Sequence, residues 1–299
     1  MHFSTPAHVT EYLWQRLDRQ NAGQVLMAHS SGVYLQFGRE VFLLCDSSWG
    51  ILPIGITVDR FRETVLALQI CTGQPVLRKN RDLIFPGGRL QLSLLPKPAQ
   101  LPYYPGPRPE MIRQAAEELA ALEKSTGLSM LVLPLILGRA CDPALPENPY
   151  FSRAFQKLDA LIHAIEQNDF DRIEENTAAL LGLGGGLTPS ADDVLLGMLY
   201  VFCRLHRGDL LGIARLQVSV FHLCSTHTNQ ISAAYLKAVL HGAPFERMET
   251  VFGALCAEQP LKIESITQIG SNSGSEMLLG MLIGSHIYRN HMSNKEESQ

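Results

Sequence analysis

Hydrophobic positions along the chain fall into two regimes. Through roughly the first hundred residues they come in short runs, "QVLMAHSSGVYLQFG", "EVFLLCD", "PVLRKNRDLIFPGG" and "RLQLSLL", rich in Val, Leu, Ile and Phe and broken by Gly, Pro and Asn. Runs of that length between turn residues predict strands joined by tight turns. Beyond Pro109 the spacing becomes helical. "PEMIRQAAEELAALEKSTG" has Pro near its first position, early acids and Gly127 after its expected last turn; "FSRAFQKLDALIHAIEQ" repeats apolar residues at Phe151, Phe155, Leu158, Ile162 and Ile165. Between the two regimes, six prolines from Pro96 to Pro109 exclude a helix or a central strand. The expectation is an α+β protein: a β-rich domain over residues 1–105 and a helical domain over 106–299.

A single pattern occurs twice within the helical region. "SADDVLLGML" from Ser190 aligns without a gap on "SGSEMLLGML" from Ser273, matching Asp193 to Glu276. Each has a glycine-containing loop before it and Ser-x-x-acid spacing, which predicts two equivalent helices, each opened by a capping box.

The loop before the first helix carries more than a cap needs. Three consecutive glycines, Gly184, Gly185 and Gly186, precede Leu187, Thr188 and Ser190. Bare backbone has an entropic cost, and its use is close approach of amide N–H groups to an anion at the positive end of a helix. Asp192 is also surplus to a cap. Adjacent helical residues point about 100° apart, so Asp193 is expected to close the cap while Asp192 faces a substrate amide, a cation or solvent. No Lys-Ser/Thr follows the glycines, which argues against a nucleotide P-loop. A small anionic or amide-bearing ligand is the expectation.

These residues resemble a known family. "GGGLTPSADDVLLG" is similar to the signature of a bacterial domain-of-unknown-function family, the 2877 family, one branch of which supplies a subunit of oxamate carbamoyltransferase. "TNQISAAYLKAVLHG", with Thr228, Ser232, Tyr235 and Gly242, matches a second segment of that subunit in order. "GSNSGSEMLLG" matches a third, with Ser271-Asn272 where the subunit has His-Thr and Glu276 where it has Asp. The resemblance is good from Gly184 to Gly284 and faint in the N-terminal half. It implies phosphorolysis of oxalurate to oxamate and carbamoyl phosphate in anaerobic allantoin use, beside other transferase subunits. On local chemistry, the amides of Gly185, Gly186 and Leu187 and the hydroxyls of Thr188 and Ser190 would hold phosphate. Asp192 and Asp193 are the catalytic candidates, and Ser271, Asn272, Ser273 and Glu276 would close the other side with Thr228 and Ser232. No metal ligand is assigned, and the cofactor is left open, a divalent cation at Asp192 being the one considered. Two other functions stay open: a non-catalytic assembly or ligand-binding subunit, and a stand-alone enzyme for a small anion.

Composition narrows the setting. A net charge of -4 without a dense Lys/Arg run gives no footprint for nucleic acid or for an anionic membrane. The longest apolar runs are about half a bilayer span and the N-terminus does not read as a signal peptide, so a cytoplasmic protein is expected. Six scattered cysteines suggest buried thiols rather than a disulfide framework. Other candidates read more simply as structure. "HSSGVY" reads as a turn rather than a Ser-His nucleophile pair, with His29 kept as a substrate-binding candidate lining a cleft between domains; His222 and His227 miss the i, i+4 spacing of a helical metal pair; Asp169, Asp171, Glu174 and Glu175 read as a helix start, and "GGRLQL" as a hairpin turn.

Overall fold

The computed structural model describes residues 3–96, 104–122, 127–140, 150–205, 211–257 and 259–297. The chain divides into two compact units, Met1–Pro102 with His241–Glu246, and Tyr103–Leu240 with Arg247–Gln299.

The first unit is a closed barrel. Its strands are β1 (Phe3–Val9), β2 (Ala22–Ala28), β3 (Gly32–Phe37), β4 (Glu40–Asp46), β5 (Gly55–Val58), β6 (Pro75–Lys79), β7 (Asp82–Phe85) and β8 (Gly88–Leu94), with helices α1 (Glu11–Leu17) and α2 (Phe61–Ala67) between them. The order around the barrel is β1-β5-β4-β3-β2-β6-β7-β8. Only β1/β8 and β4/β5 run parallel. Both parallel neighbours are reached by longer connections, whereas β2–β3–β4 and β6–β7–β8 are hairpin meanders, as their tight turns predict. Closure gives every strand a neighbour on both sides over at least part of its length, and Val33, Leu35, Phe37, Leu44, Ile56 and Leu90 fill the core.

Two strands escape the sequence pattern. β1 holds Pro6, and β1 meets β5 only at His8 and Val9, so Pro6 sits where the strand is paired with β8 alone. A missing N–H is harmless there. β5, "GITV", is only four residues long and buried throughout, without alternation.

The second unit is helical: α3 (Pro109–Ala120), a 3-10 segment Gly127–Leu131, α4 (Val132–Leu135), α5 (Phe151–Gln167), α6 (Phe170–Leu180), α7 (Ser190–Arg204), α8 (Leu211–His227), α9 (Gln230–Leu240), α10 (Glu246–Cys256), α11 (Glu264–Thr267) and α12 (Ser273–Glu297). The α5 expectation matches at both ends. That for α3 is corrected: the helix stops at Ala120, and Gly127, at φ +74°, opens the 3-10 segment instead of capping a helix. Asp169 caps α6 by accepting from the Arg172 amide at 3.2 Å, the helix-start role its acids predicted.

The hub is the pair of repeated helices. Every residue from Ala191 to Phe202 on α7 is buried, as is every residue from Gly274 to Ser285 on α12. Helices buried all round need a neighbour on each side, and the two are each other's main neighbour, crossing at the glycines of the repeat. A Cβ on Gly197 would stand 2.8 Å from the Met281 nitrogen, and one on Gly280 would stand 3.0 Å from the Gly197 Cα and press on the Val194 carbonyl. Val194 and Met277 occupy the same place in the two copies, so the contact is reciprocal: Gly197 meets the Met277 carbonyl and Gly280 the Val194 carbonyl.

Candidate functional site

The glycine-rich loop runs from the end of α6 to the start of α7. Its left-handed residues are the alternate glycines: Gly182 at φ +78°, Gly184 at +121° and Gly186 at +96°. A side chain at Gly184 would also collide with the Ser190 amide, at 2.6 Å. Gly185 differs: exposed and with open space where a Cβ would be, it keeps its backbone bare for no packing reason. Among the described residues, neither the Gly185 nor the Gly186 amide donates to a backbone carbonyl.

Beneath the loop lie three buried carboxyl groups. Asp192, Asp193 and Glu276 are each 1% exposed. Asp192, expected to face a substrate amide, a cation or solvent, is turned away from solvent and accepts from the Gly182 amide at 2.8 Å, from the Ser232 hydroxyl at 2.6 Å and from the Thr228 hydroxyl. It therefore ties the loop to the start of α9. Asp193 accepts from the Thr188 hydroxyl at 2.9 Å and bonds with Ser273, whose hydroxyl lies 3.1 Å from that of Thr188. Glu276 accepts from the Leu128 amide at 3.1 Å and from Ser190.

The two capping boxes are accordingly not formed. Pro189, not Ser190, is the N-cap of α7, and it makes no side-chain cap. The serine and acid of each copy pair across the crossing instead, Ser190 with Glu276 and Ser273 with Asp193. Close approach at Gly197 and Gly280 puts each helix start within reach of the other's acid, which outcompetes a local cap.

Burial raises all three carboxyl pKa values, that of the most completely buried, Asp193, furthest, with like-charge repulsion from Glu276 adding to it. A group that titrates higher when folded gives stability that is full below the ordinary carboxylate range, about 4, and is lost as pH rises through the raised value. Stability should thus decline as pH rises above the ordinary carboxylate range. Glu276→Gln keeps an acceptor for the Leu128 amide, removes the repulsion and should flatten that decline, as read from urea midpoints across the range. A variant profile as steep as the wild type would refute the coupling.

The structure therefore brings Gly184, Gly185, Gly186, Leu187, Thr188, Ser190, Asp192, Asp193, Thr228, Ser232, Ser273 and Glu276 to one locality, with Ser271 exposed and Asn272 half-buried just ahead of α12. His29 belongs to the barrel unit, exposed at the β2–β3 turn. The sequence reading missed Asn229, which donates to the Leu187 carbonyl at 2.9 Å and accepts from the Ser232 amide at 3.0 Å. An Asn three residues before a serine at a helix start was the available signal. It also missed Gly182 and Leu128. Among the described residues no group of three or more His, Cys, Asp or Glu side chains is placed to hold a metal ion, and no helix is long and apolar enough to cross a membrane. Cys45, Cys224 and Cys256 are buried free thiols, Cys203 is half-buried and Cys71 exposed; Cys141 lies outside the described residues.

Fold and site together define a protein with a β-barrel unit and a helical unit whose glycine-rich loop stands where three helices, α7, α9 and α12, begin. Residues 180–285 match the family described as oxamate carbamoyltransferase subunit AllH, so that over about a third of its length the chain is similar to that subunit. The matched segment runs from the end of α6 to the middle of α12 and includes every motif on which the resemblance rests. No solved structure matches the chain.

Proposed function

We propose that the chain is a subunit of an oxamate carbamoyltransferase, working with other subunits on oxalurate and phosphate. In that reaction a phosphate oxygen attacks the carbamoyl carbon, the C–N bond to oxamate breaks, and the departing nitrogen takes up a proton. The demand on a site is for donors to a phosphate dianion and to the carbonyl oxygen as it gains charge. The observation that carries the reading is the convergence of the α7, α9 and α12 starts, with their positive partial charge, on bare glycine backbone whose Gly185 and Gly186 amides donate to no backbone carbonyl among the described residues. The Gly185, Gly186 and Leu187 amides are the anion donors in this proposal. Asp192 and Asp193 act from below as positioning groups.

The test is carbamoyl phosphate formation from oxalurate and phosphate by the partner subunits, with and without this chain. Strict dependence is expected. Gly185→Asp adds a negative charge where no side chain packs, so it should leave the thermal midpoint unchanged and lower activity at least about tenfold, about 1.4 kcal/mol. One observation favours a second reading, a non-catalytic assembly subunit: every signature carboxyl is already occupied by internal bonds. A mixture that needs this chain yet works fully with Gly185→Asp would select that reading.

A further inference from the structure

A groove of about 460 Å³ opens in the helical unit between α3, the end of α4 and the far half of α12. Its volume lies in the range of small-molecule pockets, about 300–1,000 Å³. Three guanidinium groups line it, Arg113, Arg139 and Arg289, against one lining carboxylate, Glu117. Arg139 holds that carboxylate at both oxygens, 2.8 and 2.5 Å, so Glu117 is spent. Arg113 is exposed and carries no ion pair among the described residues, and the Nε of Arg289 is buried without a hydrogen-bond partner. Two further carboxylates that act on groove residues are engaged as well: Glu110, which also feels Arg289, pairs with Arg108, and Glu166 accepts from Asn290 at 3.1 Å.

The rest of the lining has a different character. Ile112, Ile136 and Leu137 give it an apolar wall. The Asn290 amide, 3.2 Å from His286 Nε2, can only donate there, which leaves the imidazole proton on Nδ1. Burial lowers the His286 pKa and favours this neutral form.

We propose that this groove is a second ligand site, taking a small organic phosphate of about nucleotide-monophosphate size, with its phosphate on Arg113 and Arg289 and its apolar or planar body against the isoleucines and Leu137. Guanidinium forks suit phosphate oxygens, and uncompensated cations beside an apolar wall suit an amphipathic anion. The site does not depend on the transferase reading.

Equilibrium dialysis of the full chain against AMP, adenosine and inorganic phosphate tests it. AMP should bind, with adenosine and inorganic phosphate each at least about tenfold weaker. Arg113→Ala, at an exposed position, and Arg289→Gln should each weaken AMP about fivefold or more, while Gly185→Asp leaves it unchanged. No AMP binding, adenosine or phosphate binding as tightly as AMP, or indifference to Arg113→Ala would overturn the proposal. So would loss of AMP with Gly185→Asp, which would put the nucleotide at the loop.

Discussion

Gly280→Ala is expected to destabilise the helical unit by about 3 kcal/mol or more, although alanine is the better helix former by about 1 kcal/mol. The sign is decided at the crossing. The new methyl group would be driven into the Val194 carbonyl and the Gly197 Cα, both backbone atoms, so neither side can give by turning a side chain. Separating the helices would then loosen the packing of two segments buried on every face. Gly284→Ala is the control. There the nearest atoms, on Met198 and Val201, stand at 3.3 Å, and a few tenths of an ångström of adjustment suffice. Urea unfolding of the three proteins should place Gly284→Ala near the wild type and Gly280→Ala far below it; equal midpoints would mean that the crossing is not close packed.

Asp192→Ala should cost about 3–5 kcal/mol, since it strands three donors, the Gly182 amide and the Thr228 and Ser232 hydroxyls, each worth about 1–3 kcal/mol when buried and unsatisfied, with incomplete additivity. Asp192→Asn should fall between. Its single amide oxygen can still serve the two hydroxyls, but its NH2 group then faces the Gly182 amide, donor against donor. The experiment separates two roles for this residue. If Asp192 holds the loop, activity and stability fall together, and exchange of the amides from Gly182 to Leu187 accelerates. Lost activity with an unchanged unfolding midpoint would instead return Asp192 to contact with the ligand, the role its place in the signature suggested.

Local signals proved readable where neighbours in sequence are neighbours in space. The meanders β2–β4 and β6–β8, the α5 periodicity and the Asp169 cap are all of this kind. The repeated Ser-x-x-acid motif was legible as a pair of helix starts but not in its bonding. A capping box and an exchange between two helices need the same residues at the same spacing, and only the glycine crossing decides between them. Likewise the adjacency of two aspartates could not show that α9 would supply Thr228 and Ser232 to bury the first of them. The barrel closure was hidden for a related reason: β1 and β5 are set by pairing with distant strands, and β5 has no alternation of its own.

The bond between Thr188 and Ser273 joins residues 85 positions apart. Contacts of such separation are late events in folding, because the loop between them must be closed before they return any energy. The chain between the copies, α8 to α11, must be placed before either acid at the crossing finds its serine. A nascent or truncated chain that ends short of Ser273 would carry the whole glycine-rich signature and yet hold Asp193 without the Ser273 hydroxyl and Gly197 without its facing helix. The side of the loop at Thr188 is in this sense a product of completed synthesis, whereas the side tied to α9 through Asp192 and Asn229 is available earlier.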